Sequence, residues 1–286
     1  MDGIIVINKD VGPTSRDIVN LISKKFNTKK VGHTGTLDPG ASGVLVVCIG
    51  KALKVAELFS NDDKEYVAGV TLGLEYDTID LYGKLLKEEI VDIPKDEIVK
   101  VINSFKGTYL QEVPLFSAVK VNGRKLYQYA RSGQKVKLPS KEVTIKEIEL
   151  VSDILYNDGK ISFKIRCVVS KGTYIRSLVR DIGKRLGTVA VMNSLIRTRQ
   201  GIFEISDSYK IGKIIDDKYK TISIREAFPN IRVIKVDDKI AFKIRNGVIL
   251  DNLFDDDMAF VTDNNDKLIA LYRKEGNQCR AYKMFL

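Results

Sequence analysis

The stretch from Val31 to Leu45 most constrains the fold, because its sequence disfavours a helix at Asp38 and runs directly into an apolar segment. It reads VGHTGTLDPGASGVL and contains four glycines, the only histidine of the chain, His33, and a single acid, Asp38. Pro39 disfavours helical backbone at Asp38, and VLVVCI at 44–49 has the composition of a buried strand. The pattern predicts a glycine-rich loop that a rigid scaffold uses to present one carboxylate. The alternative is an ordinary turn in which Asp38 hydrogen-bonds to its own backbone.

The composition is that of a globular, basic protein. The 286 residues, of which 44% are hydrophobic, suffice for one large domain or for a large and a small one. Lysine and arginine exceed aspartate and glutamate by 47 to 37, which favours an acidic partner such as nucleic acid or an anionic membrane surface. The three cysteines lack CxxC spacing and predict reduced cytoplasmic thiols. No segment approaches the roughly 18 apolar residues of a membrane span.

Strand and helix signals alternate along the chain to about residue 230. Strands are predicted at 3–8, 44–49, 64–73 and 161–170, and helices at 17–26, 98–107 and 178–186, the first of them capped at Thr14-Ser15. Beyond residue 230 the helical signal stops. Short alternating segments separated by NG, DNN and EGN turns predict a small β-rich domain there.

The segment 116–146 is the most basic part of the chain, with eight lysines or arginines against one glutamate. Tyr127 and Tyr129 are interleaved with these charges, which suits an arm that lies along a phosphate backbone. Its predicted phosphate contacts are Arg124, Lys125 and Arg131. A solvated amphipathic hairpin is the alternative. Residues 164–200, with nine basic residues against one aspartate, predict a second basic surface.

Several common classes of site are excluded by the motifs that the sequence lacks. Clustered histidines, cysteines or carboxylates for a metal are missing, as are a GxSxG elbow, a GK[ST] phosphate loop and GxGxxG. Asp38 remains as a candidate nucleophile or base that requires no cofactor. Tyr66 and Tyr174 could stack on a nucleobase, and Arg176 could pair with Asp38.

The motif GHTGTLDPGASGVL resembles the signature of the TruB family of tRNA pseudouridine-55 synthases. Further landmarks follow in the order of that family: INKDVGPTS, KEYVAGVTLG, QEVPLFSAVKVNGRKLYQYAR, SKGTYIRSLVRDIG and SLIRTRQGIF, which together span about residues 3–203. The resemblance implies an α+β pseudouridine synthase fold in residues 1–230, with a mixed, largely antiparallel sheet flanked by helices. It also implies a small PUA-like RNA-binding domain in residues 231–286.

The resemblance also implies roles for individual residues. Asp38 matches the catalytic aspartate, Arg176 its arginine partner, and Tyr66 the tyrosine that stacks on the target base and helps to remove the C5 proton. Substrate binding is implied for Tyr66 and for a further set: His33, Tyr174, Leu195, Lys54 and Asp80. His33 would stand against bases displaced when the target flips out. Ile196 replaces the first arginine of an LRR motif, which predicts one weaker phosphate contact.

The activity implied is isomerisation of uridine 55 in the tRNA T-loop after base flipping, without metal or cofactor. The segment 116–146 would then be a thumb that contacts the T-arm. We expect a cytoplasmic monomer that needs no membrane and no protein partner. Two alternatives are an RNA-binding protein without catalytic activity and a guide-RNA-dependent relative working in a ribonucleoprotein.

Overall fold

The computed structural model describes residues 1–251 and 253–286. The strands in these ranges are β1 (Gly3–Lys9), β2 (Val31–His33), β3 (Ala41–Ile49), β4 (Lys64–Leu72), β5 (Leu74–Tyr76), β6 (Leu85–Glu88), β7 (Gly107–Glu112), β8 (Lys120–Val121), β9 (Arg124–Lys125), β10 (Ser140–Leu150), β11 (Leu155–Asn157), β12 (Lys160–Val169), β13 (Ala190–Gln200), β14 (Phe203–Glu204), β15 (Arg232–Lys235), β16 (Leu250–Asp251), β17 (Met258–Thr262), β18 (Leu268–Glu275) and β19 (Gln278–Met284). The α-helices are α1 (Ser15–Lys25), α2 (Ala56–Ser60), α3 (Lys95–Asn103), α4 (Leu126–Arg131), α5 (Ile175–Arg185), α6 (Ile211–Ile215) and α7 (Asp238–Arg245), and short 3₁₀ turns cover Gly50–Val55 and Ile205–Asp207.

A ten-stranded sheet forms the body of the protein, in the order β1-β3-β13-β4-β12-β10-β7 with β2, β11 and β14 attached to it. Its pairs are antiparallel except that of β3 with β13, which places Leu195 opposite Ala41 and Arg197 opposite Gly43. The predicted mixed, largely antiparallel sheet is therefore confirmed. Because β3 begins directly after the Asp38 loop, this parallel pair joins the loop to β13.

At β1 and β3 both faces of the sheet are buried, which explains the continuous apolar run of β3. Alternate residues of β1 and β3 face opposite ways: Ile5 and Val47 lie in one core and Ile4 and Val46 in the other. Helices α1, α3 and α5 cover the first face with Ile18, Ile22, Ile98, Ile102, Leu178 and Ile182. The second face packs against Phe59 and against the C-terminal residues Phe260, Leu271 and Phe285.

The C-terminal part forms a separate five-stranded sheet, β15-β17-β18-β19-β16, with a small core of its own. The β-rich prediction for this part is confirmed, but the expectation that helices end near residue 230 was wrong. Helix α7 begins after Asp237, whose side chain accepts a hydrogen bond from the Ile240 amide at 2.8 Å. It buries Ala241 and Ile244, which are three residues apart and share one helix face.

Two basic surfaces are smaller than the sequence predicted. The last residues of the predicted arm, 140–146, belong to the main sheet, because Ser140–Leu150 is a strand paired with β7 and β12. Lys146 accordingly pairs with Asp63 on the body. The second predicted surface, 164–200, is not continuous: Arg197 is buried, and Arg166 pairs with Glu65, Glu147 and Glu149.

The N-cap of helix α1 and the start of helix α5 were both predicted, the first correctly and the second three residues too late. Thr14 caps helix α1 and forms a reciprocal capping box with Asp17, as the Thr14-Ser15 signal predicted. Helix α5 begins at Ile175 within the predicted KGTYIRS turn, three residues before the predicted start. Among the described residues, no helix combines the length and apolar character needed to cross a membrane.

Candidate active site

A single cavity of about 430 Å³ brings together five of the predicted site residues. They are Asp38, Tyr66, Tyr174, Arg176 and Leu195. The loop before β3, strands β4 and β13, and the start of α5 supply these five, and the base of the arm completes the wall with Phe116, Ser117 and Tyr127. A cavity of this volume is typical of small-molecule sites. The sequence did not single out Phe116 and Ser117, although they lie in a motif that it identified.

Asp38 and Arg176 form an ion pair in which Nη2 of Arg176 lies 2.9 Å from Oδ2 of Asp38. The arginine side chain is 9% exposed, whereas that of the aspartate is 44% exposed. Arg176 also donates to the carbonyls of Thr78 and Phe116, both at 3.1 Å. The guanidinium is therefore fixed from several sides, and it orients one carboxylate that remains accessible from the cavity.

Asp80 lies on the other side of the same arginine, with its Oδ2 3.8 Å from Nη1 of Arg176. Its Oδ1 accepts hydrogen bonds from the Thr78 hydroxyl at 2.6 Å and from the Tyr82 amide at 3.1 Å. The preceding Ile79 has φ +63, which is costly for a β-branched residue. Asp80 thus fixes a strained loop against Arg176.

Two tyrosines give the cavity aromatic walls. Tyr66 is 8% exposed and lies in the middle of the sheet on β4, opposite Cys167 and Arg197. Tyr174 precedes helix α5, and its amide donates to Gln111 Oε1 at 2.8 Å. Burial raises the pKa of the Tyr174 phenol, so it remains a hydrogen-bond donor at neutral pH. Two rings in one cavity suit a planar ligand.

The backbone of the Asp38 loop is anchored by Arg197, which is 1% exposed. Its Nε donates to the Val44 carbonyl at 2.7 Å, its Nη2 to that of Gly35 at 3.0 Å and its Nη1 to that of Thr36 at 3.5 Å. Sequence reasoning placed Arg197 only in a basic surface. A usable signal was its position two residues after Leu195, because residues two apart share one face of a strand.

Ser15 anchors the same loop from the start of α1. Its hydroxyl accepts from the Leu37 amide at 2.9 Å and donates to the Leu37 carbonyl at 3.0 Å. The residue immediately before Asp38 is therefore held by both of its backbone polar groups. The loop that carries the carboxylate is fixed from a helix and from a strand, and it is not a free surface turn.

Two buried lysines add to the positive charge around this loop. Burial lowers the pKa of Lys9, while the charges of Asp38 and Asp10 act in the opposite direction. Burial, reinforced by the charge of Arg197, lowers the pKa of Lys64 to about 8. Nζ of Lys64 donates to the carbonyls of Asp62 at 2.6 Å and Ser60 at 3.3 Å. Burial thus makes both lysines near the Asp38 loop easier to deprotonate than an exposed lysine.

His33 and Lys54 are not among the residues that line the cavity. His33 is half-buried in β2, and burial lowers its pKa, so it is neutral at pH 7. Lys54 lies in the 3₁₀ turn after β3, where its Nζ donates to the Met284 carbonyl at 2.7 Å. The structure thus places Lys54 against the last residues of the C-terminal sheet, and its predicted role in substrate binding stays a prediction.

The three predicted phosphate-binding residues of the arm lie on aromatic rings. Arg124 lies 4.8 Å from the ring centre of Tyr129, and Lys125 and Arg131 lie 5.7 and 5.3 Å from that of Tyr127. Tyr127 also lines the cavity. The basic part of the arm and the cavity therefore share a wall, so that one nucleic acid could contact both.

Comparisons with known proteins point in one direction. Residues 23–175 match the model of the family described as TruB family pseudouridylate synthase (N terminal domain). The chain is 40% identical over 283 residues to tRNA pseudouridine synthase B of Bacillus cereus (strain ATCC 14579), covering 95% of this chain and 92% of the relative. The enzyme of the same name from Bacillus pumilus is 37% identical over 289 residues, with 96% and 93% covered.

Solved structures agree with these matches. A Cbf5-Nop10-Gar1 complex contains a chain that is 26% identical, with a TM-score of 0.71, covering 99% of this chain and 85% of the other. A chain in an H/ACA RNP bound to a substrate RNA containing 2′-deoxyuridine gives the same TM-score at 24% identity and the same coverage. The expected fold is therefore confirmed. Among the described residues, no cluster of three or more histidines, cysteines or acids is arranged to hold a metal ion.

Proposed function

The chain belongs to the TruB family of pseudouridylate synthases, and we propose from this that its cavity converts uridine 55 in the tRNA T-loop to pseudouridine. It is a tRNA pseudouridine synthase. The observation that carries the proposal for the site is the accessible Asp38 carboxylate, ion-paired to the buried Arg176 in a cavity with aromatic walls. A base must leave its stack to reach such a cavity.

Asp38 is the proposed nucleophile. Its carboxylate attacks the uridine, either at the base or at the sugar, and the N1–C1′ bond breaks. The base rotates in the cavity, a C5–C1′ bond forms and the bond to the Asp38 carboxylate breaks, so that the carboxylate is regenerated. C5 loses a proton and N1 gains one. The product is an isomer of the substrate, so the step needs no oxidant, reductant or group donor. We therefore propose a reaction that uses neither metal nor cofactor.

Arg176 is the proposed partner that orients Asp38, and Asp80 supports Arg176 from the opposite side. Because Arg176 is held by two backbone carbonyls as well, its position does not depend on the substrate. Tyr66 is proposed to stack on the target base and to take part in removal of the C5 proton. Tyr174 and Leu195 complete the uridine pocket in this proposal.

The proposed function also implies contacts with the tRNA outside the uridine pocket. The arm is proposed to grip the T-arm through Arg124, Lys125 and Arg131, and His33 to contact bases displaced by flipping. Residues 1–230 would form the catalytic domain and residues 231–286 a PUA-like domain that binds another part of the tRNA. We further propose that the protein acts as a monomer in the cytoplasm, where its tRNA substrate is found.

Replacing Asp38 by asparagine tests the central assignment. Tritium release from C5-labelled uridine in a tRNA transcript should fall at least about a thousandfold in Asp38→Asn, because an amide is a very poor nucleophile. Asp153→Asn, a change of the same kind at an exposed position before β11, should keep wild-type activity. Undiminished release from Asp38→Asn would refute the assignment.

The same assay separates the two alternatives. Release by the purified chain on naked tRNA excludes a relative that depends on a guide RNA. A wild-type protein that binds tRNA and forms no pseudouridine would instead be an RNA-binding protein without catalytic activity. Binding of Asp38→Asn to tRNA, measured alongside, shows whether any loss lies in the chemical step.

A further inference from the structure

Tyr82 lies beside the Asp38 loop, close to the cavity, with most of its ring in solvent. The residue is 70% exposed, although large aromatic residues are usually covered. The inner part of the ring lies directly on the backbone of Gly40: a Cβ atom at that glycine would fall 2.2 Å from Cε2 of Tyr82. Gly40 is two residues after Asp38, so the ring lies beside the loop that carries the proposed nucleophile.

The backbone under this ring is fixed to the catalytic ion pair. The Tyr82 amide donates to Oδ1 of Asp80 at 3.1 Å, and Oδ2 of Asp80 lies 3.8 Å from Nη1 of Arg176. Arg176 in turn pairs with Asp38. Tyr82 is therefore an exposed ring on a held backbone, positioned relative to the reacting carboxylate.

Two exposed apolar residues belong to the segments around the ring. Leu81, its neighbour in the chain, is 45% exposed. The amide of Gly12 donates to the Pro39 carbonyl at 2.9 Å, so the 54% exposed Val11 is one residue away from a contact with the Asp38 loop. A flat, exposed aromatic face suits a nucleobase, because bases stack on rings regardless of their sequence.

We propose that Tyr82 is a stacking platform for the base of a nucleotide that flanks the target uridine. The proposal rests on the proposed function, because it requires the uridine to occupy the cavity. The Cα atoms of Asp38 and Gly40 are at most about 7.6 Å apart. This is a distance that one or two nucleotides of an unstacked strand can span. Tyr82 would thereby help to hold the RNA open around the flipped base.

Truncation of the ring should weaken RNA binding without unfolding the protein. Base–aromatic stacking contributes enough that Tyr82→Ala should bind a T-arm stem–loop roughly fivefold to a hundredfold more weakly. Tyr82→Phe and Tyr82→Trp keep an aromatic face and should bind within about twofold of the wild type. Because the residue is exposed, the melting temperature of Tyr82→Ala should stay close to that of the wild type.

Gly40→Ala offers a second route to the same test. The added Cβ would displace the ring, and an exposed tyrosine side chain can swing away without disturbing the core. Gly40→Ala should therefore weaken binding in the wild-type background and have little further effect in a Tyr82→Ala background. Equal reductions in both backgrounds would mean that the substitution acts through the Asp38 loop itself.

The deciding experiment measures binding and not turnover, so that it is independent of the isomerisation. Asp38→Asn protein, with and without Tyr82→Ala, is titrated with stem–loop RNAs that carry an abasic site 5′ or 3′ of the target uridine. Removal of the stacked base should weaken binding to the protein that retains Tyr82, and Tyr82→Ala should then cause no further reduction on that RNA. If Tyr82→Ala leaves binding unchanged, or weakens it equally on the intact RNA and both abasic RNAs, the platform is refuted. Failure of the proposed function would appear separately, as absence of tritium release by the wild type.

Discussion

Replacing Arg197 by methionine should separate the fixing of the Asp38 loop from the stability of the whole fold. The substitution keeps an unbranched apolar stem and removes a guanidinium that donates to the carbonyls of Val44, Gly35 and Thr36. At 3.5 Å the Thr36 hydrogen bond is weak, so two hydrogen bonds matter. A buried carbonyl left without a donor costs about 1–3 kcal/mol, hence about 2–6 kcal/mol for two.

An opposing effect reduces this cost. Arg197 is a fully buried cation that donates to backbone carbonyls, so burying its charge is itself unfavourable by several kcal/mol. Methionine removes that penalty. We therefore expect the free energy of unfolding to fall by only about 1–3 kcal/mol. Activity should suffer more, because a shift of about 1 Å in a reacting group can lower the rate about a hundredfold.

The assay is tritium release with kcat and KM determined separately, beside urea unfolding of the same samples. Arg197→Met should lower kcat about a hundredfold and change KM little, since Arg197 supports the nucleophile loop. Arg199→Met is the matched control, because Arg199 lies on the same strand, is half-buried and donates to Gly201 outside the loop. A wild-type kcat for Arg197→Met would refute the anchoring role. So would an equal reduction of kcat in both variants.

Substitutions of Lys64 and of three basic residues of the arm test other charges of the molecule. As the pH rises from 8 to 10.5, the free energy of unfolding of the wild type should increase relative to that of Lys64→Met, by at most about 3 kcal/mol. The folded-state pKa of Lys64 is lowered from 10.5 to about 8, so in that window the unfolded chain binds more protons. Urea unfolding at several pH values measures this difference, and parallel pH profiles would contradict it. On the arm, neutral glutamine at Arg124, Lys125 or Arg131 should weaken tRNA binding and reduce the salt slope by about one for each phosphate interaction that is removed. An unchanged slope would favour the solvated-hairpin interpretation.

The parts of the fold that follow from local periodicity could be predicted. An apolar run indicates strand β3, and the Thr14 cap indicates helix α1. Helix α7 was missed because DKIAFKIR has only two core residues, Ala241 and Ile244, and its neighbours read equally well as alternating strand. The extent of the arm was overestimated because charge composition does not reveal that Ser140–Leu150 pairs with β7 and β12.

In the candidate site as well, residues that belong to a motif could be predicted, whereas residues that act through long-range contacts could not. Motif position was enough to bring Asp38 and Arg176 together, whereas the anchor role of Arg197 depends on hydrogen bonds to residues 153 to 162 positions away along the chain. No local pattern encodes such an interaction. Arg166 is a similar case: its pairing with Glu147 and Glu149 becomes evident only from the register of β10 and β12, and it neutralises a charge that composition alone would place on a basic surface.

The two arginines of the site have different tasks, and the topology explains why both are needed. Strand β2 pairs with β3 only over Val31–His33, so most of the loop that joins the two strands lies beyond the paired residues. Arg197 reaches from β13 to the loop carbonyls and supplies the missing donors. Arg176 approaches from α5 and pairs with the Asp38 carboxylate. Backbone position and carboxylate orientation are therefore fixed by separate elements, so that removal of one anchor should leave the other in place.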